Sequence, residues 1–214
     1  MKGATTPLMS WGMSMDVEAQ CPCMVNADMS QDKRREIETM IKTQRITPCL
    51  WFADEAEEAA KFYTDVFKDS RITAVTRYSK AGFEVHQRPA GSVMVVAFEL
   101  EGQKFTALNG GPVFKFTEAI SLQVECENQD EIDYYWERLG AGGDPTAQQC
   151  GWLKDRFGLS WQVIPRMEQF FYQDEKSPGA ERAMEAMLKM KKIDLAELER
   201  AYEGANAGAG AHSR

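Results

Sequence analysis

The chain has no apolar run approaching the roughly 18 residues of a membrane-spanning helix, so no span is expected in it. It has no excess of basic charge either: 25 Lys and Arg stand against 33 Asp and Glu, a net charge of −8. That balance argues against nucleic acid or an anionic membrane as a partner. Histidine is scarce, with only His86 and His212 in the whole sequence. Paired cysteines are missing as well: the five cysteines are odd in number and scattered, apart from Cys21 and Cys23. This suits a reducing compartment better than a disulfide framework, and the expected location is the cytoplasm. The opening MKGATTPLMSWGMSMDVEAQ has a single Lys and no continuous apolar stretch, a poor match to a signal peptide. Cys21-Pro22-Cys23 would be half of a metal site, but no second Cys or His pair lies near it. Finally, no glycine-rich turn joins a strand to a helix; the run from Gly140 to Gly143 follows a helix instead.

What remains is an ordinary globular composition, 43% hydrophobic and 27% charged over 214 residues, enough to bury a sizeable core. Residues 1–44 read as a flexible leader with a short polar helix opening at Ser30. From there the chain becomes periodic. ITPCLWF alternates as a strand, with Leu50 and Phe52 on one face and Thr47, Cys49 and Trp51 on the other. ADEAEEAAKFYTDVF has helical spacing, and strands are expected from residues 71, 92 and 103, ended by Asn109-Gly110-Gly111-Pro112. The order then restarts. AISLQVEC reads as a strand, ENQDEIDYYWERLGAGG as a helix closed near Gly140, residues 146–149 as a weak strand, and 150–154 with 159–164 as a hairpin. A repeat of strand, helix and three strands implies that neither half buries its sheet alone, so the two are expected to pair into one curved sheet. Helices are expected over 179–191 and 195–203, the second capped by Asp194 with Glu197 and closed by Gly204. Met184, Met187, Leu188 and Met190 form a stripe read as packing. Residues 205–214 read as a disordered tail.

The hairpin CGWLKDRFGLSWQVIP raises a chemical question. Leu159, Trp161 and Val163 share an apolar face, yet Gln162 sits amid the opposite one. A partly buried amide has two donors and an acceptor to satisfy, so it either binds something or braces a neighbour. Both readings stay open on the sequence alone.

The stretches ITPCLWF…EEAAKFYTDVF, GSVMVVAFELEGQKFTALNGGPVFKF, CGWLKDRFGLSWQVIPR and MLKMKKIDLAELERAYEG resemble the vicinal oxygen chelate superfamily (glyoxalase I, extradiol dioxygenases, bleomycin and fosfomycin resistance proteins). More specifically, they look like its PhnB-like subgroup, which carries the label 3-demethylubiquinone-9 3-methyltransferase. The resemblance covers about residues 45–204. It implies an α+β fold of paired βαβββ modules forming a curved mixed sheet. The modules would span about 45–112 and 117–166 within a domain at 45–166, followed by a helical segment at 167–204. The methyltransferase label itself finds no sequence support, because nothing reads as a site for S-adenosylmethionine.

In the superfamily's metalloenzymes four inward side chains, mostly His and Glu, hold one divalent ion. Here the corresponding positions are Thr47 or Pro48, Thr106 or Ala107, Ala119 or Ser121, and Gln162. One neutral amide is a poor ligand set, so no metal and no cofactor is expected. His86 lies in an expected loop, while Glu99 and Glu125 would turn inward only after a one-residue shift of register. The favoured expectation is a small-molecule binder of unassigned specificity, with Cys49, Trp51, Asn109, Gln123 and Gln162 as candidate ligand-binding residues and the catalytic residues unassigned. The alternatives are a divalent-metal-dependent lyase, isomerase or dioxygenase-like enzyme, and a non-catalytic dimeric module. A homodimer is expected because superfamily members commonly complete their sheets across chains or modules, and open sheet edges need cover.

Overall fold

The computed structural model describes residues 44–166 and 177–204. The chain divides into two units, Met1–Arg45 and Ile46–Arg214, and the second is described here. The leader helix expected from Ser30 and the tail expected at 205–214 lie outside the described residues.

The first module runs β1 (Cys49–Phe52), α1 (Ala56–Val66), β2 (Arg71–Arg77), a single turn α2 (Phe83–His86), β3 (Val93–Leu100) and β4 (Gln103–Asn109). Its sheet has the order β1-β4-β3-β2, with β1 parallel to β4 and the other pairs antiparallel. β1 alternates as its sequence predicts, with Leu50 and Phe52 buried and Cys49 exposed. The N-terminus of α1 has no local side-chain cap; Asn109, at the end of β4, supplies one when its Oδ1 accepts from the Ala56 backbone N–H at 2.8 Å. Ala56, Ala59 and Ala60 form a face small enough to lie close on β3 and β4, with Tyr63 and Val66 completing it.

The second module runs β5 (Ser121–Cys126), α3 (Gln129–Gly140), a 3-10 turn (Pro145–Ala147), β6 (Trp152–Lys154) and β7 (Ser160–Pro165). Asn128 caps α3 by accepting from the Glu131 N–H at 3.0 Å, and Asp130 and Glu131 place negative charge in its first turn. The strand expected at 146–149 does not form. Asp144 accepts from the Thr146 N–H at 2.8 Å and Pro145 starts a 3-10 turn, leaving a single bridge from Gln149 to Trp152. Cys150 and Gly151 then adopt positive φ, 52° and 80°, so the hairpin strand begins at 152 rather than 150. The sheet is accordingly three-stranded, in the order β5-β7-β6.

The α+β class and the repeat of modules stand, but the strands lie in two mixed sheets rather than one, with no ladder joining them among the described residues. Side chains at the C-terminal end of α1 join the modules instead. The Tyr63 ring lies 5.5 Å from Trp161, and Phe67 stacks on both Trp161 (5.4 Å) and Tyr135 (5.2 Å). Tyr134 adds a hydrogen bond to the Val66 carbonyl at 2.9 Å. One hydrophobic core therefore runs through both modules.

Two further helices, α4 (Pro178–Met187) and α5 (Leu195–Glu203), complete the unit. Asp194 caps α5 through the Glu197 N–H at 2.9 Å, and Gly204 closes it at φ 77°, both as expected. The segment between the helices is tied to the second module. The N–H groups of Cys150 and Gly151 donate to the carbonyls of Met190 and Lys191, each at 2.8 Å. The Gln129 side chain bridges the Ile193 carbonyl and the Leu195 N–H. The methionine stripe divides: Met187 is buried, whereas Met184 and Leu188 are exposed.

Candidate functional site

β7 sorts its side chains by strict alternation. Leu159, Trp161 and Val163 are buried on the helix-covered side, while Gln162 and Ile164 face the other way. Register then decides their company. Parallel pairing sets Gln123 of β5 beside Gln162 and Glu125 beside Ile164, and antiparallel pairing sets Trp152 of β6 on the other side of Gln162. These side chains line a cavity of about 570 Å³. Met187, the last residue of α4, and Leu188 just after it contribute to its wall, with Gln149 and Cys150 from the turn before β6.

The polar floor is a short relay. Gln162 Nε2 donates to Ser121 Oγ at 2.7 Å, and Gln123 Nε2 donates to Gln162 Oε1 at 3.2 Å. Gln162 is therefore braced by its neighbours, yet the relay leaves the Gln123 carbonyl oxygen and one N–H of each amide for a ligand. Glu118 also lines the cavity and is held by Lys154; the hydrogen bond from that ammonium lowers its pKa. On the buried face of β5, desolvation, reinforced by Glu131, pushes the Cys126 thiol up to about 12, so it is an inert core thiol.

Beneath the cavity, the turn before β7 rests on Asp155, which is buried. Its Oδ2 accepts from Tyr63 OH at 2.8 Å and Trp161 Nε1 at 2.9 Å, and its Oδ1 accepts from the Phe157 and Leu159 N–H groups at 2.9 and 3.0 Å. Burial raises the Asp155 pKa above 3.8, and these hydrogen bonds oppose the rise. Sequence reading saw the bend at 155–158 but not this carboxylate. The signal available was an acidic residue opening a tight turn beside a Trp.

Of the five residues expected to share a site, the structure brings Gln123 and Gln162 together and places the other three in the first module. The Asn109 amide is committed to its own fold: besides capping α1, it donates to the Val93 carbonyl at 3.1 Å. Trp51 donates to the Gly111 carbonyl at 2.8 Å and packs on Phe114. Its ring lies so close to Gly110 that a Cβ there would be 2.1 Å away. It clamps the loop after β4. Cys49 is exposed at the edge of the first sheet. His86 closes its own loop: Nδ1 accepts from the Arg88 N–H and Nε2 donates to the Ala81 carbonyl, with Tyr78 against the ring. Glu99 pairs with Arg71 at 2.5 Å.

Glu125 corrects the register argument. It shares the cavity face with Gln123 without any shift, as alternation within β5 already requires. The donor set still does not fit a divalent ion. Gln162 is neutral and bonded to Ser121 and Gln123, and no group of three or more His, Cys, Asp or Glu converges among the described residues.

Residues 44–164, more than half of the chain, match the family model described as 3-demethylubiquinone-9 3-methyltransferase. The chain belongs to this family. Among solved structures it is similar to a PhnB protein from Bacillus cereus, at 36% identity and a TM-score of 0.49, covering 57% of this chain and 99% of that one. A protein from Pseudomonas aeruginosa is 20% identical with a TM-score of 0.44, covering 57% of this chain and 98% of that one. No curated protein matches the chain. The family resemblance read from the motifs thus stands. In this member of the 3-demethylubiquinone-9 3-methyltransferase family, α4 and its C-terminal cap lie beyond the matched residues and yet supply Met187 and Leu188 to the cavity.

Proposed function

We propose that the protein binds a small organic molecule in the cavity on the open face of the second sheet, without a tightly held metal. The observation that carries this reading is the convergence of the Gln123–Gln162 relay with apolar walls from Trp152, Ile164, Met187 and Leu188 around one cavity. Apolar walls with a few directed polar groups are the usual chemistry of a ligand pocket. The absence of a tight metal rests on the donor set described above. Methyl transfer finds no support either, because the glycines after α3 serve packing: a Cβ on Gly143 would lie 1.9 Å from the Lys154 carbonyl oxygen.

The test is a ligand screen by thermal shift, run with EDTA and with added Ni²⁺, Zn²⁺ or Mn²⁺. Ligands that raise the melting temperature should do so equally in EDTA, and Gln162→Leu should weaken them about 3- to 10-fold by removing one amide. Close to one equivalent of transition metal in the purified protein would overturn the metal-independent reading.

We further propose that the protein works as a homodimer in the cytoplasm. On the first sheet, the face opposite α1 carries Trp51, Val95, Ala97 and Leu108, all half-buried within one chain, and a second copy would cover them. The cysteines at 49, 126 and 150 are free thiols, which suits a reducing compartment. No helix among the described residues is long and apolar enough to cross a membrane. Light scattering at micromolar concentration should give twice the chain mass of 24.2 kDa; a monomer mass would remove the dimer from this reading.

A further inference from the structure

The cavity carries an uncompensated charge. Its described lining includes two carboxylates, Glu118 and Glu125, and no lysine, arginine or histidine. Lys154 neutralises Glu118. The Glu125 side chain takes part in no hydrogen bond or ion pair among the described residues. Gln123 and Glu125 also line a neighbouring cleft of about 760 Å³, where Glu101, Glu127 and Glu131 outnumber Lys68 and Arg166. Arg166 is itself engaged by Glu127. The field across both cavities is therefore negative, and Glu125 stands where they meet.

The other walls suit a positive charge attached to an apolar body. Trp152 in the wall is the aromatic residue type that cations favour most. Met187 supplies a polarisable sulfur, and Leu188 lines the cavity while remaining 55% exposed, so apolar surface is left for a ligand to cover. An anionic ligand would meet Glu125 with no cation in the described wall to offset the repulsion. A neutral ligand would draw that carboxylate out of water and return at most a neutral hydrogen bond, with no opposite charge. A ligand cation removes both costs.

We infer that the cavity takes a small organic cation, an apolar body bearing a protonated amine or a quaternary ammonium group, with Glu125 as its counter-charge. This rests on the small-molecule reading of the same cavity, and the test separates the two. Benzyltrimethylammonium, benzyl alcohol and benzoate, matched in body and different in charge, are titrated into the full chain at low ionic strength. Binding is followed by the NMR signals of the Trp152 indole N–H and the Gln123 and Gln162 side-chain amides. The cation should bind about fivefold or more tighter than the alcohol, with benzoate weakest, and high salt should shrink that order. Glu125→Gln should bring the cation to the affinity of the alcohol while signals away from the cavity stay in place. If alcohol or benzoate binds as well as the cation, or if Glu125→Gln leaves the order unchanged, the charge assignment is wrong and the small-molecule reading survives. If none of the three moves these signals, both readings fall.

Discussion

Asp155→Ala should be the most damaging single substitution in the unit, lowering stability by about 3–5 kcal/mol. Four donors converge on this one buried carboxylate: Tyr63 OH from α1, Trp161 Nε1 from β7, and the Phe157 and Leu159 N–H groups of the turn between β6 and β7. Alanine leaves the phenol and indole donors buried without acceptors and removes the bonds that close the turn. Because Tyr63 belongs to the first module and Asp155 to the second, the loss should also loosen the seam between them. Asp155→Asn is no conservative escape: it puts an NH₂ where one oxygen now meets two donors, so most of the loss should remain. Tyr63→Phe breaks a single link and should cost about 1 kcal/mol. Urea unfolding followed by fluorescence and circular dichroism checks the series; a loss under about 1 kcal/mol for Asp155→Ala would show that the carboxylate does not hold the turn.

The same carboxylate sets a pH dependence whose sign follows from its environment. Burial holds the folded-state pKa above 3.8. Between the unfolded and folded values the native state therefore binds more proton than the unfolded state, and stability falls as pH rises through that window. The proton-linked part of the Asp155 contribution is fully present below about 3.8 and lost above its folded value, while the four hydrogen bonds to the carboxylate remain. Asp155→Asn should flatten this component of a stability-versus-pH curve. An unchanged slope would assign the dependence to other groups.

Ile193→Ala should give the second large effect, about 2–5 kcal/mol, concentrated in the C-terminal helices. Ile193 is fully buried, and its carbonyl accepts from Gln129 Nε2 at 3.1 Å. Its Cγ1 would lie 3.2 Å from a Cβ added at Gly151, which shows how closely the connection between α4 and α5 sits on the turn before β6. Two backbone hydrogen bonds from Cys150 and Gly151 reinforce the seat. A cavity at Ile193 should make the amides of α4 and α5 exchange faster than those of β3 and β4, and Met187 and Leu188 should drift from the cavity they line on the second sheet. Equal acceleration everywhere would mean that the helices unfold with the rest of the unit rather than as a separable wall.

Much of this architecture is legible in local pattern. Alternation in ITPCLWF and LSWQVI predicts which side chains face the core, because a strand has only two faces and burial selects one of them. Asn128 before Asp130 and Glu131, and Asp194 before Glu197, mark helix starts through chemistry that lies within four residues. The expected strand at 146–149 failed for an equally local reason that periodicity does not weigh: Asp144-Pro145 is a turn opener that competes with extended backbone.

The candidate site divides along the same line. By itself the sequence determined the repeated order of strands and helices and put Gln123 and Gln162 among the candidate residues, because both depend on spacing along the chain, while its motifs carried the family resemblance. Only the tertiary structure decided that the cavity lies in the second module and that α4 walls it. It alone showed that the Glu125 side chain stands there without a partner among the described residues, whereas Asn109 and Trp51 are spent within the first module. Those outcomes depend on contacts between residues tens of positions apart. Tyr63 meets Asp155 across 92 positions and Gln129 meets Ile193 across 64, and periodicity within a segment carries no information about which distant surface will cover it.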